Sequence, residues 1–198
     1  MKKYFERVAI LLAAATVGFG NVYAQEAGDM AVGISIVFTP DWVKESRDVG
    51  DPKSNNAGLS ARFQYNVTTP IRLAGVFIFL PNSDNLGMWD LSINAHYLIP
   101  VVKKLHVYPV AGLDFMRYTS DGGYQIDVGS GLIMIDGRVA GKYTIFGVNI
   151  GGGIECKLGK RVSLQGEVKY ILGFDNTIFS DYYKTNRLII SIGAVYKF

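Results

Sequence analysis

Apolar and polar residues alternate with a period of two along most of this chain, and this pattern limits the fold more than any other feature. Every second residue from Met30 is apolar, through Val32, Ile34, Ile36 and Phe38. Successive side chains of a strand point to opposite faces, so this period predicts strands rather than helices. Six segments show the pattern with no charge on the apolar parity. They run over residues 30–39, 58–67, 89–99, 146–157, 162–172 and 187–198.

Two further segments, 71–80 and 105–117, are apolar on both faces in places. In the second of them Tyr108 and Asp114 share one parity, opposite Leu113 and its apolar neighbours. We therefore predict eight strands of roughly 9 to 13 residues. Such strands are longer than the ~5–6 residues usual in soluble proteins and long enough to cross a bilayer at a tilt.

The connections between these strands alternate in length. The longer ones cover residues 40–55, 81–87, 119–143 and 173–186, and the shorter ones cover 68–70, 100–104 and 158–160. Short turns at one end and longer loops at the other are typical of outer-membrane barrels. We predict an all-β fold, an eight-stranded antiparallel up-and-down transmembrane β-barrel. A soluble lipocalin-like barrel with an apolar core also fits the alternation.

Aromatic residues on the apolar parity favour the membrane alternative because they gather near strand ends, as in the two girdles of a membrane barrel. Phe38, Phe79, Trp89, Phe115, Phe146 and Tyr170 lie toward the long loops, and Tyr65, Tyr97, Tyr196 and Phe198 toward the short turns.

The first 24 residues are predicted to be a cleaved secretory signal peptide. A basic start is followed by a 12-residue apolar run, too short to span a bilayer, and by small residues before Gln25. The barrel domain is then 25–198. The chain's net charge is +3, and the segment 25–198 alone carries +1 (17 Lys and Arg against 16 Asp and Glu), which argues against nucleic-acid binding. The single cysteine, Cys156, rules out an internal disulfide.

Three stretches resemble the small porin-like outer-membrane β-barrel family of Gram-negative bacteria: VYPVAGLDF (107–115), VNIGGGIECKLGKRVSLQGEVKYIL (148–172) and ISIGAVYKF (190–198). The last resembles the family's C-terminal assembly signal, with Tyr196 and the terminal Phe198. The resemblance implies insertion into the cell outer membrane, with outer-membrane lipid and the barrel assembly machinery as partners. It leaves the activity open, since the family includes pores, adhesins, anchors and a few lipid enzymes.

Charged residues on the polar parity must pair inside so narrow a barrel, because an unpaired buried charge costs several kcal/mol. We expect a lumenal charge network rather than a dry core or a broad channel. Its candidates are Arg62, Asp90, Asp114, Glu155, Glu167, Lys169 and Arg187. A three-residue turn at 158–160 would place Glu167 opposite Gly151, and Gln165 opposite Gly153, so that glycine makes room for large polar groups.

An enzyme acting on lipid would need a base, and the two histidines, His96 and His106, are predicted near the short-turn ends of their strands. We therefore expect no enzymatic activity, no cofactor and no metal. The leading interpretation is a porin-like or structural barrel whose polar lumen allows at most narrow passage of ions or small solutes. The alternative is a binding or adhesion module that displays the loops 119–143 and 173–186 to an extracellular ligand.

Overall fold

A computed structural model describes residues 26–40, 56–83, 86–120, 125–127, 132–134, 141–174 and 185–198. Eleven strands lie within these ranges. They are β1 (Met30–Thr39), β2 (Asn56–Asn66), β3 (Ile71–Ser83), β4 (Leu86–Tyr97), β5 (Ile99–Val102), β6 (Leu105–Ser120), β7 (Gln125–Asp127), β8 (Leu132–Met134), β9 (Gly141–Lys157), β10 (Val162–Gly173) and β11 (Arg187–Lys197). The segment 1–24, predicted to be a signal peptide, lies outside the described residues.

Eight of these strands close into an antiparallel barrel, which confirms the predicted fold class. The hydrogen-bonded order is β4-β3-β2-β1-β11-β10-β9-β6, and β4 pairs with β6 to complete the ring. The first and last strands pair along their length, from Ala31 opposite Lys197 to Phe38 opposite Ile190. The short strand β5 pairs with the start of β6 at the short-turn end, and β7 pairs with β8 in a separate hairpin.

The two faces of the barrel have the opposite polarity to those of a soluble protein. Alternate residues on its outer surface are large and apolar, such as Ile34 (73% exposed) and Ile192 (67% exposed). Most buried residues are polar or charged. This distribution rules out the soluble barrel with an apolar core and a wet exterior, and it suits a barrel surrounded by lipid. In the part of the chain that the structure describes, helices long and apolar enough to span a membrane are absent.

Neighbouring outward aromatic side chains form a belt toward the long loops. Trp89 lies 5.5 Å from Phe115 and 6.3 Å from Phe77, measured between ring centroids, and Phe115 lies 5.1 Å from Phe146. The belt spans four adjacent strands, because β3 pairs with β4, β4 with β6, and β6 with β9. Trp89, Phe115 and Phe146 were predicted to lie on the outward parity near the long loops, whereas Phe77 was not among the predicted residues.

Two connections differ from the sequence-based expectation. Residues 81–87 were expected to form a loop, but β3 continues to Ser83, which pairs with Leu86 at the start of β4. A register shift between Leu80 and Ser83 accommodates Pro81, which lacks a backbone donor and is tolerated at such irregularities. The connection 119–143 is shorter than expected, because β6 and β9 remain paired as far as Ser120 and Gly141.

The register between β9 and β10 also differs from the prediction by two residues. The backbone amides of Leu158 and Gly159 both donate to the Val162 carbonyl, which makes the turn wider than three residues. Lys157 therefore pairs with Ser163, Glu167 lies opposite Gly153, and Gln165 lies opposite Glu155.

Candidate functional site: the barrel lumen

The lumen holds the chemically distinctive side chains of this protein. All seven charged residues singled out from the sequence have buried side chains that face the barrel interior. The structure distributes them over successive layers, which are described here from the short-turn end to the long-loop end. An eighth buried charge, Arg72 on β3, was not among them.

The first layer is built around Glu155. Arg72 Nη1 lies 2.8 Å from Glu155 Oε2, and the Arg72 Nε donates to Asn66 Oδ1 at 3.1 Å. The Gln165 amide donates to the same Glu155 oxygen at 2.9 Å. Arg72 is not predicted from the sequence because the residues of its parity from Ala74 to Leu80 are apolar, so the alternation there does not indicate which face is inside.

The second layer is centred on Glu167. Its Oε2 lies 3.3 Å from Arg62 Nη1 and accepts a hydrogen bond from the Tyr108 hydroxyl at 3.2 Å. Arg62 also donates to Gln165 Oε1 at 2.9 Å, which links this layer to the first. The ring of His96 stacks on that of Tyr108 with 4.8 Å between centroids, and its Nε2 lies 3.9 Å from the Glu167 carboxylate.

The third layer places one lysine between two carboxylates. Lys169 Nζ lies 3.0 Å from Asp114 Oδ1 and 3.5 Å from Asp90 Oδ2. The Asn149 amide donates to the second oxygen of Asp114 at 2.6 Å. The position opposite Lys169 on β9 is Gly151, where an added Cβ would lie 2.7 Å from the Lys169 Cα, so glycine permits the close approach.

Toward the long loops, many of the buried side chains are apolar, which the alternation in the sequence does not predict. Arg187 lies at the long-loop end of β11, where its Nε donates to the Tyr118 hydroxyl at 2.6 Å and its guanidinium lies 4.5 Å from the centroid of that ring. Twelve buried residues form one cluster, hereafter the apolar plug, whose members on β4, β6 and β10 lie on the long-loop side of Asp90, Asp114 and Lys169. They are Val37, Ala74, Val76, Ile78, Leu80, Leu86, Met88, Met116, Tyr118, Ile145, Ile171 and Ile189.

Four of the twelve plug residues lie on β3, the strand that also carries Arg72. Ala74, Val76, Ile78 and Leu80 point inward as Arg72 does, and the outward residues from Ile71 to Phe79 are apolar or glycine. The described lumen therefore holds a packed apolar cluster beside the charged residues.

The buried charges of the described residues balance. Four are cationic and four are anionic, and they are Arg62, Arg72, Lys169, Arg187, Asp90, Asp114, Glu155 and Glu167. Burying charges without such pairing would cost several kcal/mol each. These eight side chains therefore carry no net charge together, and their hydrogen-bonded network occupies part of the lumen.

The histidines lie in the short-turn half, as predicted, and both are buried. His96 belongs to the Glu167 layer, and His106 lies on β6, opposite Glu155 on β9. Within the described ranges, no three His, Cys, Asp or Glu side chains lie close enough together to hold a metal ion.

Below the first layer a cavity of about 570 Å³ opens at the short-turn end. Its innermost lining includes Gln64, Arg72 and Glu155, and its rim is formed by the turns after β5 and β9 and by residues near both ends of the described chain. The cavity therefore ends where the charge network begins. We call it the vestibule.

The residues predicted to form the assembly signal lie on the outer surface beside this rim. Tyr196 and Phe198 are both exposed, and the Phe198 amide donates to the Met30 carbonyl at 3.1 Å across the seam between β11 and β1. The Tyr196 hydroxyl accepts a hydrogen bond from Arg161.

Comparisons with known proteins agree with this architecture. A family model described as outer membrane protein beta-barrel domain matches residues 9–198. Neisserial surface protein A has 17% identity and a TM-score of 0.58, with 85% of this chain and 97% of that chain covered. OprG from Pseudomonas aeruginosa has 11% identity and a TM-score of 0.55, with 90% of this chain and 99% of that chain covered. Ail, the attachment invasion locus protein of Yersinia pestis, has 14% identity and a TM-score of 0.51, with 87% of this chain and 99% of that chain covered. A search of curated proteins finds no match.

Proposed function

The chain belongs to the outer membrane protein β-barrel domain family, and we propose that it is a structural barrel whose lumen is closed to ions. It is an outer-membrane protein, and its short-turn end faces the periplasm, as in other such barrels. The single observation that carries the proposal is the apolar plug, which fills the lumen at the long-loop end. Eight strands leave an interior just wide enough for side chains, and here those side chains pack against one another.

The charge network supports the same conclusion from the periplasmic half. Each of Arg62, Arg72 and Lys169 lies within 3.5 Å of a carboxylate, and the amide side chain of Gln165 links the first two layers. An ion could pass only by displacing these partners in a medium of low dielectric constant, which is energetically costly.

Single-channel recording of the refolded chain in a planar lipid bilayer tests this proposal. We expect an inserted but silent barrel. As a positive control, Met116→Gly with Ile145→Gly removes a directly opposed pair from the plug and should produce discrete openings. The matched control, Phe115→Gly with Phe146→Gly, removes the adjacent outward pair and should remain silent. Reproducible openings of the wild-type barrel would establish the porin-like alternative instead.

A surface-binding role is a second candidate, favoured by the length of one strand pair. β6 and β9 continue from the outward aromatic pair Phe115 and Phe146 to Ser120 and Gly141, five residues further and about 17 Å at 3.4 Å per residue. This ribbon would carry the loop 121–140 away from the membrane. Ail is named as an attachment protein, so the fold is compatible with such a role.

Shortening that loop separates the two candidates. Replacing residues 121–140 by a two-residue turn should leave the urea unfolding midpoint of the vesicle-refolded barrel unchanged. Adherence of cells that express the chain, measured on immobilised host glycans and matrix proteins, should fall if the loop binds a ligand. Equal adherence of both chains, at a level above that of cells lacking the protein, would count against this loop as the binding element.

We also propose that the chain is not an enzyme and that the assembly machinery reads Tyr196 and Phe198. Both proposals rest on position: the histidines lie in the periplasmic half, away from the external leaflet, and the two aromatic residues are exposed at the end of the last strand.

A further inference from the structure

We propose that the vestibule is a binding site for small compounds that carry two or more phosphate groups. At about 570 Å³ it falls within the ~300–1,000 Å³ typical of small-molecule sites. It is open to the periplasm and closed on the inside by the Glu155 layer, so a ligand would enter from one side only.

The charge of the lining indicates the chemistry of the ligand. The lining contains two ion pairs, one between Arg72 and Glu155 and one between Lys197 and Asp29. The described lining holds five other cations as well, Lys103, Lys104, Lys157, Lys160 and Arg161, which makes seven cations in all. Glu26 is the third carboxylate, so the described lining has an excess of four positive charges.

This concentration of charge is created by the fold. Lys103 and Lys104 lie in the turn between β5 and β6, whereas Lys157, Lys160 and Arg161 lie at the end of β9 and in the turn that follows it. The antiparallel pairing of β6 with β9 brings these groups to one rim, although more than fifty residues separate them in the chain. The excess of four positive charges here exceeds the net charge of +3 of the whole chain.

Phosphate suits this arrangement better than a single carboxylate. Lysine ammonium groups act as point charges for phosphate, and arginine can hold it through two parallel hydrogen bonds. Several cations around one concave space favour a compact ligand with several negative charges, because each added charge strengthens binding in a partly desolvated site. Such phosphates could come from soluble periplasmic compounds or from anionic lipid headgroups.

Calorimetric titration with inorganic pyrophosphate tests the proposal. The full chain is refolded into nanodiscs of zwitterionic phosphatidylcholine and titrated at low salt, where saturable one-to-one binding is expected. Lys104→Gln with Lys160→Gln removes two exposed cations from separate turns and should weaken the affinity at least tenfold. Lys103→Gln with Lys157→Gln serves as a second variant if the first does not refold.

The matched control removes the same charge elsewhere. Arg117→Gln with Lys142→Gln neutralises two exposed cations near the long-loop end of β6 and β9 and should leave the affinity unchanged. An equal loss in both double variants would show non-specific attraction and overturn the proposal, as would the absence of saturable binding by the wild type.

A second titration identifies the source of the phosphate. Nanodiscs that contain anionic phosphatidylglycerol are compared with the zwitterionic ones. If this lipid weakens pyrophosphate binding by the wild type, and weakens binding by the Lys104 and Lys160 variant much less, lipid headgroups occupy the vestibule. If the wild-type affinity is the same in both lipids, the site takes a soluble phosphate compound. Either result is compatible with the site itself, which the first titration decides.

Discussion

Glu167 is the lumenal carboxylate whose removal is most informative, because it lies between a cation and a hydroxyl. In Glu167→Gln the Arg62 guanidinium loses its charged partner at 3.3 Å while remaining buried. The amide retains part of the hydrogen bonding, so we expect a loss of about 2 kcal/mol. Urea unfolding in lipid vesicles measures it, with the exposed Glu26→Gln as control. An unchanged unfolding midpoint would remove Glu167 from the stabilising network.

Lys169 should be more sensitive than Glu167, since two carboxylates depend on it. Lys169→Met leaves Asp90 and Asp114 buried beside each other without the ammonium that lies 3.5 and 3.0 Å from them. We expect a loss of about 3–5 kcal/mol in the same unfolding assay. Restoring much of that stability with the triple variant that also carries Asp90→Asn and Asp114→Asn would show that the cost is electrostatic. No recovery would point to packing instead.

Gly153 and Gly75 are strand glycines that differ in the space available for a side chain, which is small at inward Gly153 and large at outward Gly75. An added Cβ at Gly153 would lie 2.5 Å from the Tyr108 hydroxyl and 2.7 Å from the Gly166 carbonyl oxygen, so Gly153→Ala should cost about 2 kcal/mol. Gly75 has no atom within 4 Å of such a Cβ, and Gly75→Ala should change stability by less than about 0.5 kcal/mol. Equal midpoints for the two variants in urea unfolding would contradict this account.

At the scale of an element, the last strand has two roles that can be separated. Phe198 is 63% exposed on the outer surface, and its backbone amide bonds β1 whatever its side chain is. Phe198→Ser should therefore refold in vitro with nearly wild-type stability. In cells it should reach the outer membrane several-fold less efficiently if the assembly machinery reads this residue. Tyr65→Ser, at the same end of β2, is the control, and equal defects in cells would argue against a specific signal.

Strand β3 shows how far an element can be predicted from its own sequence. Its existence was predictable, because its apolar residues are bounded by a short turn. Which face points inward was not, since Ile71 to Leu80 is apolar on both parities. The answer came from β2 and β4, whose polar residues face the lumen and whose pairing with β3 places Arg72 opposite Asn66 and His96.

At the scale of the whole molecule, the aromatic belt sets the depth of the barrel in the bilayer. Trp89 belongs to this belt, and the other tryptophan is Trp42. In a Trp42→Phe variant, we expect lipids brominated near the headgroup to quench the Trp89 emission more strongly than lipids brominated near the chain ends. Stronger quenching by the deeper bromines would place the belt in the hydrocarbon core and require a different depth of insertion.

The strands, their approximate number and the outward face of most of them follow from the sequence, because alternation is local and each strand carries its own pattern. The sequence also identifies seven of the eight charged residues that are buried in the described part of the chain. The register of β9 against β10, the partner of each charge and the packing of the apolar plug are visible only in the folded barrel. These features depend on which strands become neighbours and on how wide a turn closes. A period of two indicates only which side chains point inward, and it does not predict which residues they contact there.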